Sequence, residues 1–119
     1  LDNHVKCGIE IDISSYEKPM RFRLVRPGSN WYTAGRTVEC ILEDMRSITF
    51  KIITPENKYY DEVVDISEIP FREGKTTRVS VSVSFTDSDR CNITIKDLGF
   101  GEFVKSSGKV ISKELVLRS

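Results

Sequence analysis

Val79, Val81, Val83 and Phe85 alternate without interruption with Arg78, Ser80, Ser82 and Ser84. Successive side chains of an extended strand point to opposite faces, so this run has one apolar and one polar face. It fits a sheet with one side against a core and cannot form the stripe of a helix. Thr86-Asp87-Ser88-Asp89 follows with turn-forming residues, and Cys91, Ile93 and Ile95 then alternate with Asn92, Thr94 and Lys96 to bring the chain back antiparallel.

The same period of two recurs elsewhere. Val5, Cys7, Ile9 and Ile11 predict a first strand, Met20, Phe22 and Leu24 a second. Ile13 to Pro19 between them reads as a connection, and Pro27-Gly28-Ser29-Asn30 as a turn. Trp31 and Tyr32 open a short extended piece. Thr37 to Leu42 and Ser47 to Ile53 predict two strands, and the short Glu43 to Arg46 link predicts that they form a hairpin. Pro55 to Lys58 makes a turn, Tyr59 to Ile66 is rich in strand formers, and Pro70 stops any ladder beyond it. Ser106-Ser107-Gly108 turns the chain into a last strand from Val110 to Leu117. Nowhere do a helix cap and a 3.6 period coincide. Turn signals about every 8–12 residues predict an all-β fold, an antiparallel β-sandwich of about eight strands.

A chain of 119 residues holds one domain with a real core, spanning 1–119. It opens on Leu1 rather than a methionine, so we expect a domain cut from a larger protein. With 18 basic and 18 acidic side chains it has no net charge, which argues against general attraction to nucleic acid or to an anionic membrane. No run approaches the roughly 18 apolar residues that span a bilayer. Cys7, Cys40 and Cys91 are odd in number, far apart and set in alternating runs, so they read as buried thiols of a protein from a reducing, cytoplasmic compartment. Asn92-Ile93-Thr94 matches a glycosylation sequon, which matters only in a secreted protein.

No constellation for catalysis emerges, and no cofactor is expected. His4 is the one histidine, so a triad or a histidine-rich metal site is unavailable. Asp87 and Asp89 supply too few of the about six to eight oxygens that calcium takes. Gly99-Phe100-Gly101 has no helix after it to hold a phosphate. Arg21, Arg23, Arg26, Arg36 and Arg46 form the one basic concentration, beside Trp31 and Tyr32. Arg21 and Arg23 nevertheless alternate with apolar residues, as the wet face of a strand does.

Ile66-Ser67-Glu68-Ile69-Pro70, the Arg72 to Gly74 loop, the Val79 to Phe85 strand, the acidic Thr86 to Asp89 turn, Ile93-Thr94-Ile95 and the Lys96-Asp97 pair follow one another along the second half of the chain. In these motifs and their order it resembles the β-sandwich substrate-binding domain of DnaK-type heat-shock chaperones. Gly8-Ile9-Glu10, Ile48 to Ile52 and Pro55-Glu56 are similar to its first half. The resemblance implies a non-catalytic peptide-binding module. Its channel would be formed by the first strands and by the loops between strands one and two and strands three and four. Ile9, Ile11, Val38, Ile41, Ile48 and Phe50 would line it around an extended apolar peptide, although apolar residues there also suit a plain sandwich core. Ile13 to Pro19 is longer and bulkier than the family's Gly-rich loop, and Asp89 stands where the family usually has Gly. Neither a helical lid nor a nucleotide-binding domain is in this chain.

Two other readings stand beside it. The sandwich could dock to other domains of its parent protein without a working channel, with Tyr16 or Met45 as candidate plugs. Alternatively, Trp31, Tyr32, Tyr59 and Tyr60 could stack against a polysaccharide.

Overall fold

The long alternating run pairs on both sides, as a strand with one face against a core does when it lies inside a sheet. The computed structural model describes residues 2–14, 19–42, 46–70, 77–99 and 105–118. Its strands are β1 (Gly8–Ser14), β2 (Pro19–Val25), β3 (Arg36–Leu42), β4 (Ser47–Ile53), β5 (Tyr59–Asp65), β6 (Thr77–Asp87), β7 (Arg90–Gly99) and β8 (Val110–Val116). They form two four-stranded antiparallel sheets, in the orders β2-β1-β4-β5 and β3-β6-β7-β8. The protein is a β-sandwich, and no α-helix occurs among the described residues.

The alternation sorts into core and surface as the pleat requires. Val79, Val81, Val83 and Phe85 of β6 and Cys91, Ile93 and Ile95 of β7 are buried, and face Ile9 and Ile11 of β1 and Ile48, Phe50 and Ile52 of β4 in one cluster. Each such side chain contributes about 1.5–3 kcal/mol by leaving water. A charge at Ile93, which is fully buried in the centre of its sheet, would therefore abolish folding. In β2, Leu24 and Val25 are neighbours and both buried. A register shift against Ile9 and Glu10 of β1 makes this possible, because a bulge lets two consecutive residues turn inward.

Four expectations are corrected. Thr37 to Leu42 and Ser47 to Ile53 are strands, but not a hairpin. β3 pairs with β6, whereas β4 pairs with β1 and β5, so the link crosses from one sheet to the other. Val5 and Cys7 are buried as their alternation requires, yet the ladder begins only at Gly8. Val5 instead exchanges backbone bonds with the turn after β2, donating to Ser29 and accepting from Gly28 at 2.8 and 2.7 Å. Gly28 stands at φ 92°, which a side chain would strain. The connection expected from Ile13 to Pro19 is shorter, since β1 reaches Ser14 and β2 starts at Pro19. Pro19 is tolerated as the first residue of an edge strand, where no ladder donor is needed. Finally, Trp31 to Thr33 is a 3-10 turn rather than extended chain, closed by Thr33 N–H on the Asn30 carbonyl at 3.0 Å.

The register also fixes which connections share an end. Asp12 of β1 lies opposite Thr49 of β4, Ser47 of β4 opposite Asp65 of β5, and Leu42 of β3 opposite Thr77 of β6. The links β1–β2, β3–β4, β5–β6 and β7–β8 therefore leave from one end of the sandwich. The β4–β5 and β6–β7 turns and the β2–β3 link lie at the other end.

Candidate functional site

The residues expected to line a channel divide into three groups. Ile9, Ile11, Ile48 and Phe50 lie together on the inner face of one sheet, with Ile11 directly opposite Phe50. All four are fully buried in the core. Val38 belongs to the other sheet and packs, half-buried, against the same core. Ile41 is also on β3 but faces outward, 50% exposed, next to the β3–β4 link. The candidate plugs Tyr16 and Met45, and the Arg72 to Gly74 loop, lie outside the described residues.

The end that carries the β1–β2 and β3–β4 links is tied together by backbone and carboxylate bonds. Ile66 N–H donates to the Arg46 carbonyl at 2.8 Å, joining the entry of β4 to the exit of β5. Asp97 of β7, 3% exposed, accepts from Gly99 N–H through one carboxylate oxygen and from Ser107 N–H through the other, both at 2.9 Å. The Ser106 hydroxyl donates to the Asp97 carbonyl. A buried carboxylate satisfied by backbone donors holds its loop in one geometry. Asp97 of the Lys96-Asp97 pair is thus the returning strand's anchor for the segment that enters β8. The sequence flagged the pair only through resemblance, since a lone aspartate in a strand does not announce which backbone groups will reach it.

The outer face of the β2-β1-β4-β5 sheet carries an ion lattice. Glu10, only 12% exposed in its side chain, lies between Arg21 at 3.5 Å and Arg23 at 3.7 Å. Asp12 bonds Arg21 at 2.8 Å and meets Lys51 at 3.7 Å. The Lys51 ammonium also sits 4.6 Å from the centre of the Tyr59 ring. A shallow depression of about 320 Å³ lies among Glu10, Arg21, Lys51, Ile53, Asn57 and Tyr59. Arg21 and Arg23 are therefore the wet face of β2, as their spacing predicts.

The aromatic residues do not share a stacking plane. The Trp31 and Tyr32 rings stand 5.6 Å apart at 84°. Tyr60 is half-buried and its hydroxyl accepts from Arg118 N–H at 3.0 Å. Each cysteine is a free, buried thiol. Burial pushes the Cys40 thiol up to about 11, and burial together with the nearby Cys7 pushes Cys91 up to about 12, so neither is a nucleophile near neutral pH. Among the described residues no three His, Cys, Asp or Glu side chains gather to hold a metal ion, and no helix is long and apolar enough to cross a membrane.

One family profile matches residues 4–117: the domain of unknown function DUF8552. The chain belongs to that family. The eight strands all fall within the matched residues, so the sandwich is the DUF8552 domain itself. No curated protein and no solved structure matches the chain.

Proposed function

We propose that this domain is a non-catalytic, chaperone-like module that holds an extended apolar segment of a peptide or of its own parent protein. The segment would lie at the end of the sandwich from which the β1–β2 and β3–β4 links emerge. The observation that carries the reading is the register of β1, β4 and β3, which brings the two links to one end. Those are the links that form the channel in the DnaK-type domains the sequence resembles. Exposed Ile41 beside the β3–β4 link gives that end an apolar contact outside the core. Free, buried thiols support a reducing, cytoplasmic setting.

A second reading, a docking domain without a working channel, is favoured by the complete burial of Ile9, Ile11, Ile48 and Phe50. Side chains already spent on the core offer a ligand nothing until the sheets part.

Fluorescence anisotropy with labelled leucine-rich peptides separates the two. One buried leucine and a few backbone bonds correspond to a dissociation constant of about 100 μM, roughly 5.5 kcal/mol. Ile41→Asp should weaken binding at least about tenfold while leaving the fold intact, because the side chain is already half in water. Val116→Asp is the control, with 54% exposure at the opposite end of the same sheet. Binding unaffected by Ile41→Asp, or no saturable binding by about 1 mM, would leave the docking reading in its place.

A further inference from the structure

At the end of the sandwich remote from that proposed peptide site, the β2–β3 link folds into a depression of about 290 Å³, small beside the usual ligand cleft of about 300–1,000 Å³. Arg23, Arg26 and Arg36 line it together with Ser29 and Thr33, beside buried Leu24. No carboxylate is among its described lining residues. Arg23 has Glu10 at 3.7 Å on the outer face of its sheet, but neither Arg26 nor Arg36 has a carboxylate partner among the described residues. In a chain with no net charge, this is a local excess of positive charge, which a bound anion would relieve.

Arg36 is also held in place. One of its guanidinium nitrogens donates to the Arg23 carbonyl at 2.6 Å, across the gap between the two sheets. A guanidinium has five N–H donors in a planar fork, so this bond fixes its direction and leaves the others free. The Thr33 hydroxyl donates to the Asn30 carbonyl at 3.2 Å, which ties the 3-10 turn to the same wall. Gly35 lets the link pass close over β6, since a Cβ there would stand 3.0 Å from the Val83 carbonyl oxygen. Arginine forks match the oxygens of a phosphate group in both spacing and charge.

We propose that this depression binds a phosphate group, either free or as a small phosphomonoester. Arg26 and Arg36 clamp its oxygens, Arg23 supplies further positive field, and the Ser29 hydroxyl donates a neutral hydrogen bond. The ligand is recognised as a dianion and so binds more weakly about a unit below the second phosphate pKa of about 6.

The test is a titration of the full chain, at low ionic strength and pH 7.5, with inorganic phosphate and with phosphoserine, followed by backbone amide NMR. Saturating shifts at Arg26, Ser29, Gly35 and Arg36 are expected for both probes. Tighter binding of phosphoserine identifies a modified side chain as the source, and equal binding a free oxyanion. Arg26→Ala and Arg36→Ala should each weaken binding about tenfold, and Arg26→Lys should restore part of it, because charge returns without the fork. Arg36→Ala also removes the bond between sheets, so its melting curve is measured alongside. Arg26→Ala has no such bond to lose among the described residues and carries the test by itself. Arg90→Ala, at the start of β7, is the surface control. Shifts that stay linear to about 20 mM, or an equal loss in Arg90→Ala, would overturn the proposal.

Discussion

Replacing Asp97 by alanine tests whether one buried carboxylate organises the connection into β8. The side chain is 3% exposed and accepts two backbone bonds at 2.9 Å, from Gly99 and from Ser107. A hydrogen bond to a charged group contributes about 1.5–3 kcal/mol, and a donor left buried without a partner costs its desolvation as well. The two bonds are not equal. Gly99 is buried at the end of its strand, so its N–H has no ready access to water and its bond counts in full, about 2 kcal/mol. Ser107 is exposed, so water replaces much of the lost bond and about 1 kcal/mol remains. Asp97→Ala should therefore destabilise the domain by about 3 kcal/mol. Asp97→Asn keeps one carbonyl oxygen as acceptor and should lose about half of that. Urea unfolding followed by circular dichroism measures both, and amide hydrogen exchange should show protection lost first at Ser107 and Lys109. If Asp97→Ala lies within about 1 kcal/mol of the parent, or if the two variants are equally destabilised, the carboxylate does not hold the loop.

Two further outcomes follow from groups at the margins of the fold. Lys113 of β8 reaches across to β5, donating to the Val63 carbonyl at 3.1 Å and meeting Glu62 at 3.5 Å. Lys113→Met keeps the stem but removes the clasp and should cost about 1 kcal/mol, read by urea midpoint, and an unchanged midpoint would show that the clasp is idle. The buried thiols make stability fall in alkali. Their folded values of about 11 for Cys40 and about 12 for Cys91 lie above the ordinary 9.0, so their contribution is complete below pH 9 and is lost as pH rises toward 11–12. Cys91→Ala should flatten the fall in midpoint between pH 9 and 10.5, and a parallel fall in both proteins would refute the assignment.

Much of the fold was legible because alternation reports burial directly. The Val79 to Phe85 run, Ser47 to Ile53 and Cys91 to Ile95 each became a strand with the expected face inward. Alternation says which face meets the core, not which strand lies alongside. That is why the short link after Leu42 passed for a hairpin although β3 and β4 stand on opposite sides of one core. Trp31 and Tyr32 looked extended because aromatic residues favour strands, but the Asn30 carbonyl gave the backbone a tighter local bond. The candidate site was harder to read for the same reason: Ile9 and Ile48 have the chemistry of a pocket and of a core alike. Arg26 and Arg36 are ten residues apart in sequence, and only the fold of the β2–β3 link brings them to one depression.

Lys113 and Arg36 share a habit whose consequence reaches beyond stability. Each is a long cation from one sheet that occupies a carbonyl on an outermost strand of the other, Val63 in β5 and Arg23 in β2. An outermost strand is the place where a foreign chain would otherwise attach by continuing the ladder. Here such a newcomer meets an acceptor already taken and a charge that it must displace. The β2 and β5 edges are therefore poorer templates for the growth of fibrils than bare ones. Growth of the ladder at these two edges would have to begin by displacing a cation.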